Sequence, residues 1–293
     1  MSPKILLIGC HGQLGKELQQ ILPSTGVVAL ARPTIDLAQP DTLRQVIDEI
    51  QPQVIVNTAA YTAVDKAESE IELATAINAT APGILAEQTQ KLGGFLIHIS
   101  TDYVFDGSQS HPYSETDPTN PLSIYGQTKL AGEEAIRKNC PNHLILRTAW
   151  VYGIHGKGNF VKTMLRLGSE REEIRVVADQ IGSPTYTQDL AQAIAHLLPL
   201  STPEIAGTYH YTNSGVISWY DFAIAIFEEA QQLGFPLKVQ RVIPITTLEY
   251  PTPAHRPAYS VLSSEKISLI LGTNPPHWRQ GLQQMLKDLF KNR

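Results

Sequence analysis

The 293-residue chain is 42% hydrophobic and 17% charged, a balance that excludes a disordered or low-complexity protein and leaves enough apolar side chains for a large core. Its formal net charge of -5 argues against general binding to nucleic acid or to an anionic membrane, while leaving room for a local basic pocket. Cys10 and Cys140 form neither a disulfide framework nor a metal spacing, and the apolar run in "MSPKILLIGC" is too short for a signal-peptide core or a membrane span. The expectation is a cytoplasmic protein, monomeric or homodimeric, with no nucleic-acid or membrane partner.

The first half of the chain alternates apolar runs with amphipathic stretches. "KILLIG" (4–9), "VVALA" (27–31), "VIVNTAA" (54–60), "FLIHIS" (95–100) and "HLILRTAW" (143–150) are short, rich in branched residues and nearly continuous, as strands buried on both faces of a parallel sheet must be. Between them "GQLGKELQQIL", "DTLRQVIDEIQP" and "TAPGILAEQTQKLG" read as helices, with Asp41 and Thr80 as N-caps, Pro82 in a first turn and Gly93 as a stop. This order implies an α/β fold, a Rossmann-type doubly wound parallel sheet over residues 1–150. The second half is less regular. "IRVVAD" (174–179) and "TQDLAQAIAHLL" (187–198) read as one more strand-helix unit, so that the segment about 174–200 returns to the same sheet. "SWYDFAIAIFEEAQQLG" (218–234) is a helix capped by Ser218, "PTPAHRPAYS" a proline-rich loop, and "WRQGLQQMLKDLF" a terminal amphipathic helix. Residues 151–293 are expected to form mainly a smaller substrate-binding lobe.

Directly after the first strand, "IGCHGQLG" places Gly9, Gly12 and Gly15 at the entry to a helix, with Gln13 and Leu14 between them. In that context the glycines let backbone approach a diphosphate, and the helix N-terminus offers free N–H groups and a positive dipole end. The second strand ends with Ala31 and Arg32, where an acidic residue would bond the ribose 2′-hydroxyl of NAD. A guanidinium there suits a 2′-phosphate, so NADPH is the expected cofactor, with NADH as the alternative. Asp36 and Leu37 follow where an adenine would lie, and Ala59, Ala60 and Tyr61 after the third strand face the middle of the cofactor.

The fourth strand ends "HISTDYVFDG", and strand C-terminal ends are where open α/β sheets hold ligands. Further on, "YGQTK" places Tyr125 and Lys129 four apart on a helix, hence on one face. Reducing a ketone needs hydride on carbon and a proton on oxygen. A phenol is a proton donor, a nearby ammonium lowers its pKa, and the hydroxyl of Thr101 can bond the same oxygen as charge develops. None of the nine histidines falls in a metal-binding motif.

These motifs, with "VIVNTAAYTAVDKAESE", "LRTAWVYG", "NFVKTMLRL", "DQIGSPTY" and "TPAHRPAYSVL", cover nearly the whole chain. Together they resemble the dTDP-4-dehydrorhamnose reductase family of extended short-chain dehydrogenases/reductases. The resemblance implies that Tyr125 donates the proton with Lys129 as its partner, that Thr101 tunes the substrate oxygen, and that Asp102 and Trp150 contact a dTDP-sugar. It places Asn159, Gln180 and Arg256 around the substrate; from its residue type alone Arg256 is either a structural ion-pair partner or a guanidinium facing a diphosphate. The implied reaction is reduction of the 4-keto group of dTDP-4-dehydro-L-rhamnose by NADPH. Two positions depart from the pattern. Ile99 stands where relatives can carry tyrosine. Glu17 matches one glutamate of a magnesium site found in some relatives, at an apparent dimer contact, but Gln188 stands where another is expected. Two alternatives stay open: another nucleotide-sugar enzyme of this fold, such as an epimerase, and a non-catalytic subunit resembling the regulatory partner of methionine adenosyltransferase. A dehydratase is disfavoured, because Asp102 is followed by Tyr103 and not by a second carboxylate.

Overall fold

The computed structural model describes residues 4–292. All five apolar runs become strands: β1 (Ile5–Ile8), β2 (Val27–Leu30), β3 (Val54–Asn57), β4 (Phe95–Thr101) and β5 (His143–Thr148). The later strands are β6 (Val151–Tyr152), β7 (Glu173–Val177), β8 (Ile181–Gly182), β9 (Thr185–Tyr186), β10 (Gly207–His210), β11 (Ile217–Ser218) and β12 (Arg241–Ile245). The main sheet has the order β10-β5-β4-β3-β1-β2, and every pair in it is parallel. The order reverses between β1 and β3, and a crevice opens there at the strand C-termini.

The helices are α1 (Gln13–Ile21), α2 (Pro40–Ile50), α3 (Val64–Ala67), α4 (Ile71–Thr75), α5 (Ala81–Lys91), α6 (Ile124–Asn139), α7 (Phe160–Glu170), α8 (Thr187–Leu197), α9 (Trp219–Gln232), α10 (Glu265–Leu271) and α11 (Trp278–Lys291). Along β1, Ile5 and Leu7 pack with Leu14 and Leu18 of α1 and Leu190 and Ile194 of α8. Leu6 and Ile8 face the other way, onto Leu43 and Ile47 of α2, Leu85 of α5 and Ile136 of α6. Both sheet faces are therefore covered, which explains why the strands carry nearly continuous apolar runs and do not alternate apolar with polar. Among the described residues no helix is long and apolar enough to cross a membrane.

Three local expectations are corrected. Asp41 lies in the first turn of α2, behind Pro40; the cap is Gln39, which makes no side-chain bond. Thr80 caps nothing, because α4 and α5 join through a π turn at Ala76–Thr80. Pro82 has no N–H and its ring crowds the carbonyl of Asn78 in a regular helix, and the wide turn absorbs both problems. The strand at 173–177 does not return to the main sheet. β7 pairs in parallel with β12, away from the main sheet, and the edge place beside β5 goes to β10. The reason lies in its pattern: Ile174 and Val176 are buried but Glu173 and Arg175 are exposed, so only one face of β7 is apolar. That face joins a second core with Val161 and Met164 of α7, Phe222 and Ile226 of α9 and Leu282 and Met285 of α11. Ser218 does cap α9: its hydroxyl accepts the Asp221 N–H at 3.0 Å, and the Asp221 carboxylate accepts the Ser218 N–H at 3.0 Å.

α6 is seated on the sheet by a buried ion cluster. The Glu133 carboxylate accepts from Nε and Nη2 of Arg147 on β5, at 2.9 and 2.7 Å, and from Arg137 one turn on. Glu133 is 0% and Arg147 2% exposed. Burial alone would raise the carboxyl pKa; hydrogen bonding and charge from Arg147, with smaller help from Ser100 and Arg137, bring it below the ordinary value. Removing one member strands a buried charge. Glu133→Ala is therefore expected to lower unfolding free energy by about 3–5 kcal/mol in denaturant titrations. A carboxyl with a depressed folded pKa stabilises above its unfolded value, so this difference from wild type is full above about pH 5 and shrinks as pH falls through the depressed value.

Candidate active site

A cleft of about 870 Å³ runs along the C-terminal edge of the main sheet. Gly9 has φ +90°, and a Cβ there would lie 2.8 Å from the Ala59 nitrogen. At Gly15 a Cβ would come within 2.2 Å of the Gly9 carbonyl oxygen, so the glycine lets α1 start directly against the turn. Gly12 caps α1 without a side-chain bond, which leaves first-turn N–H groups for an anion. Gly9, Gly12, Gln13 and Leu14 line the cleft near β1; Arg32, Asp36 and Leu37 line one end; Ala59 and Ala60 line the middle. This cradle, too tight for side chains and lined by free N–H groups, fits a dinucleotide diphosphate. Tyr61 is different. Its hydroxyl donates to Glu70 at 2.6 Å, and Asn78 bonds both its N–H and its carbonyl, so its ring is not in the lining. Ile99 lines the cleft as an apolar wall. His11 and Lys157 line it too; no motif in the sequence singled them out.

β4 and α6 bring the three catalytic candidates to one wall of this cleft. Thr101 ends β4, accepts the Tyr103 N–H at 3.2 Å and donates to Asp102 at 2.9 Å. Tyr125, in the first turn of α6, meets the Tyr103 ring edge to face at 5.3 Å. Protein packed around its phenol pushes the pKa up to about 12, with a Thr101 hydrogen bond pulling it down and Asp102 raising it. The sequence led us to expect the lysine to lower this pKa. Lys129 makes no contribution to that shift, because its Nζ is engaged elsewhere: it donates to the Ile99 carbonyl at 2.6 Å and lies 3.2 Å from His98 Nε2. Burial brings Lys129 down to about 8, against the pull of Glu133. At neutral pH the pair is thus a protonated phenol beside a charged amine, which is the form a proton donor needs. Asp102 is 2% exposed, its Oδ2 has no hydrogen-bond partner among the described residues, and burial raises its pKa to about 6, opposed by Ser260 and Thr101.

Next to Asp102 lies a narrow recess, lined in part by Tyr103, Trp150, Gln180, Trp219 and Arg256. Trp150 has φ +49°, rare for a bulky residue, and stacks on Trp219 with ring centroids 3.5 Å apart and planes 8° from parallel. Gly182 makes this possible, since a Cβ there would reach the Trp150 ring at 2.6 Å. Gln180 donates to Thr247 at 3.0 Å. Arg256 bonds both oxygens of Asp65, at 3.0 and 2.8 Å, the ion-pair form of its two sequence readings. Asn159 lies outside both cavities: it caps α7 and donates to Gln13 Oε1 and the Gly153 carbonyl, each at 2.8 Å, bracing the glycine loop from behind. Trp219 and Asp65 were missed in the sequence. Trp219 follows the α9 cap and looked like an ordinary amphipathic position, and Asp65 lies 191 residues from Arg256.

Among the described residues of one chain, Glu17 stands apart from other carboxylates that could share a cation with it. Its buried carboxylate accepts from Thr187 at 3.2 Å, burial raises its pKa, and His155 Nε2 lies 4.0 Å away. Among the described residues no group of three or more His, Cys, Asp or Glu side chains could hold a metal.

Comparison with known proteins matches residues 3–291 to the family described as RmlD substrate binding domain. A dTDP-4-dehydrorhamnose reductase of Escherichia coli is 46% identical over 98% of both chains. A spore coat polysaccharide biosynthesis protein of Bacillus subtilis is 45% identical over 97% of both. Among solved structures, a dTDP-4-dehydrorhamnose reductase of Bacillus anthracis in complex with NADP superposes with a TM-score of 0.91 at 40% identity, covering 98% of this chain and 100% of that one. With its glycine cradle, its Tyr125–Lys129 wall and a match that runs nearly end to end, the chain belongs to the RmlD substrate-binding-domain family.

Proposed function

We propose that the protein uses NADPH to reduce the 4-keto group of dTDP-4-dehydro-L-rhamnose to dTDP-L-rhamnose, the last step of dTDP-rhamnose synthesis. The observation that carries this is the convergence of Thr101, Tyr125 and Lys129 on the edge of the cleft, in a chain 46% identical to such a reductase over nearly its full length.

NADPH, when bound, supplies the hydride. The chain's own residues do the rest. Gly9, Gly12 and the first turn of α1 hold the diphosphate; Arg32, with Asp36 and Leu37 beside it, takes the 2′-phosphate and adenosine end. Ala59 and Ala60 close the middle. Tyr125 donates its phenolic proton to the 4-oxygen as hydride arrives at carbon 4, and the Thr101 hydroxyl bonds the same oxygen where negative charge grows. Lys129 holds positive charge behind the phenol, so the phenolate left by proton transfer is stabilised. Asp102, Trp150, Gln180 and Arg256 face the sugar nucleotide in the recess, and Asn159 acts through Gln13 on the glycine loop.

The direct test is NADPH oxidation over a panel of dTDP-linked and other nucleotide-linked 4-keto sugars; no turnover with dTDP-4-dehydro-L-rhamnose rejects the proposal. In the same assay Tyr125→Phe is expected to lower kcat about 100-fold or more with no change in the unfolding midpoint. Lys129 is depressed to about 8, so kcat should fall on the alkaline side as the ammonium is lost, with a midpoint near that value and well below an ordinary lysine. A flat profile to pH 10 would count against Lys129 as the cation. Arg32→Ala should raise KM for NADPH roughly 10- to 100-fold, the worth of a charge-assisted hydrogen bond, and leave KM for NADH almost unchanged.

A further inference from the structure

Behind the catalytic lysine lies a buried polar chain that the reaction itself does not call on. Asn57, at the end of β3, and His98, on β4, are 0% and 1% exposed. Asn57 Oδ1 accepts the Ala59 N–H at 3.1 Å, so its other terminus, 3.1 Å from His98 Nδ1, is the NH2 donor. A neutral imidazole has one N–H and one lone pair. With a donor at Nδ1, the ring must accept there and carry its proton on Nε2, which points at Lys129 Nζ from 3.2 Å.

That arrangement satisfies every group only if Lys129 is a neutral amine, whose lone pair can accept from Nε2–H. An ammonium has no lone pair and would set donor against donor. When Lys129 is charged, His98 must offer its lone pair at Nε2 and keep its proton on Nδ1. Asn57 must then turn its oxygen towards His98, and the Ala59 N–H loses its acceptor. Ala59 lines the middle of the cofactor cleft and packs against Gly9. We propose that Asn57 and His98 are positioning residues that couple the protonation of Lys129 to a tautomer change of His98 and a reversal of the Asn57 amide, and so to the backbone at Ala59 beside the cofactor. The consequence for turnover rests on the reductase reading, in which Lys129 is the charged group behind Tyr125. The two states differ by one proton, exchanged between Nζ and solvent through the cleft; the imidazole carries one proton in both.

Other charges around α6 do not replace this control. Tyr125 lies one turn before Lys129 and Glu133 one turn after, the latter held by Arg147 of β5 and by Arg137. Asp102 and Tyr103 face Tyr125 from the turn after β4. Among the described residues only His98 and the Ile99 carbonyl bond the amine itself. Burial and then the Lys129 charge hold the His98 pKa well below the ordinary value, so its ring stays neutral throughout.

The test needs no substrate. In long-range proton–nitrogen spectra of histidine-labelled full-length protein, with His98 assigned by its loss in His98→Gln, the ring should be the Nε2–H tautomer above the Lys129 titration near pH 8 and the Nδ1–H tautomer below it. One tautomer at every pH overturns the coupling. Asn57→Asp is nearly isosteric, and its carboxylate accepts from both Ala59 and His98. It should hold His98 as Nδ1–H across the range, a signature that added negative charge alone would not produce, and move the alkaline limb of kcat up by about one pH unit, a tenfold change in the Lys129 equilibrium. A His98 signal in this variant that still switches, or an unmoved limb, counts against the proposal. Should wild type show no reductase activity, the proposed function fails while the spectra still decide the coupling; an active reductase with a pH-invariant His98 sinks the coupling alone.

Discussion

The close seating of α6 against the turn after β4 and the π turn before α5 is the contact on which the site depends. Two glycines set it. A Cβ at Gly126 would lie 2.2 Å from the Tyr103 carbonyl oxygen, and one at Gly132 would lie 2.1 Å from that of Asn78. With backbone packed on backbone at both points, the helix cannot slide or roll by even a methyl group. One face then presents Tyr125, Lys129 and Glu133 at successive turns, each matched to the sheet beneath: Tyr125 to the Thr101 end of β4, Lys129 to the Ile99 carbonyl, and Glu133 to Arg147 of β5. The π turn belongs to the same device. It absorbs Pro82, and it leaves the Asn78 side chain free to bond Tyr61 and Thr128, tying the end of the third βα unit to α6.

The seating also explains how a charged lysine is tolerated where water is excluded. Moving an isolated ammonium out of water is opposed by several kcal/mol, and the usual response is a fallen pKa. The fall here is limited by the Glu133 carboxylate one turn on, while the amine donates to the Ile99 carbonyl. Glu133 in turn stays ionised because Arg147 and Arg137 claim it. A buried ion cluster that contributes little net stability of its own thus favours the charged form of Lys129; on the proposed function, the same packing that lifts the Tyr125 pKa keeps its proton available until a substrate oxygen arrives.

What could be read from the sequence follows from how local its cause is. The apolar runs of the five main strands have both faces covered, so their composition alone marks them. The glycine loop carries its own steric reason, and Tyr125 and Lys129 share a helical face by spacing. The rest is non-local. β10, "GTYH", has no apolar run, because it is an edge strand whose place is decided by α8 packing on α1. β7 looked like a member of the main sheet until its exposed Glu173 and Arg175 showed a single covered face. Asp65 and Arg256 meet from opposite ends of the chain, and no periodicity predicts that Trp150 will stack on Trp219. The direction of the Tyr125 shift is non-local in the same way: spacing reveals the cation one turn on, but only the packed structure reveals the burial that raises the phenol pKa and the Ile99 carbonyl that occupies the amine.

The contacts that close the recess are of a different strength from those beneath α6, and the difference has a use. Asp65 and Arg256 are 40% and 22% exposed, and ion pairs this open to solvent are worth about 0–1 kcal/mol. An aromatic stack such as Trp150 on Trp219 adds about 0.5–1.5 kcal/mol beyond the area it buries. Both can be exchanged for contacts with an incoming ligand at little expense: a diphosphate can take the guanidinium from Asp65, and a planar base or sugar face can take one side of an indole. The cluster of Glu133 and Arg147, fully buried, can make no such exchange. On the proposed function, the molecule is therefore rigid where proton and hydride must meet and loosely held where sugar nucleotides must enter and leave, and the boundary between the two regimes runs through Asp102, which touches Thr101 on one side and the recess on the other.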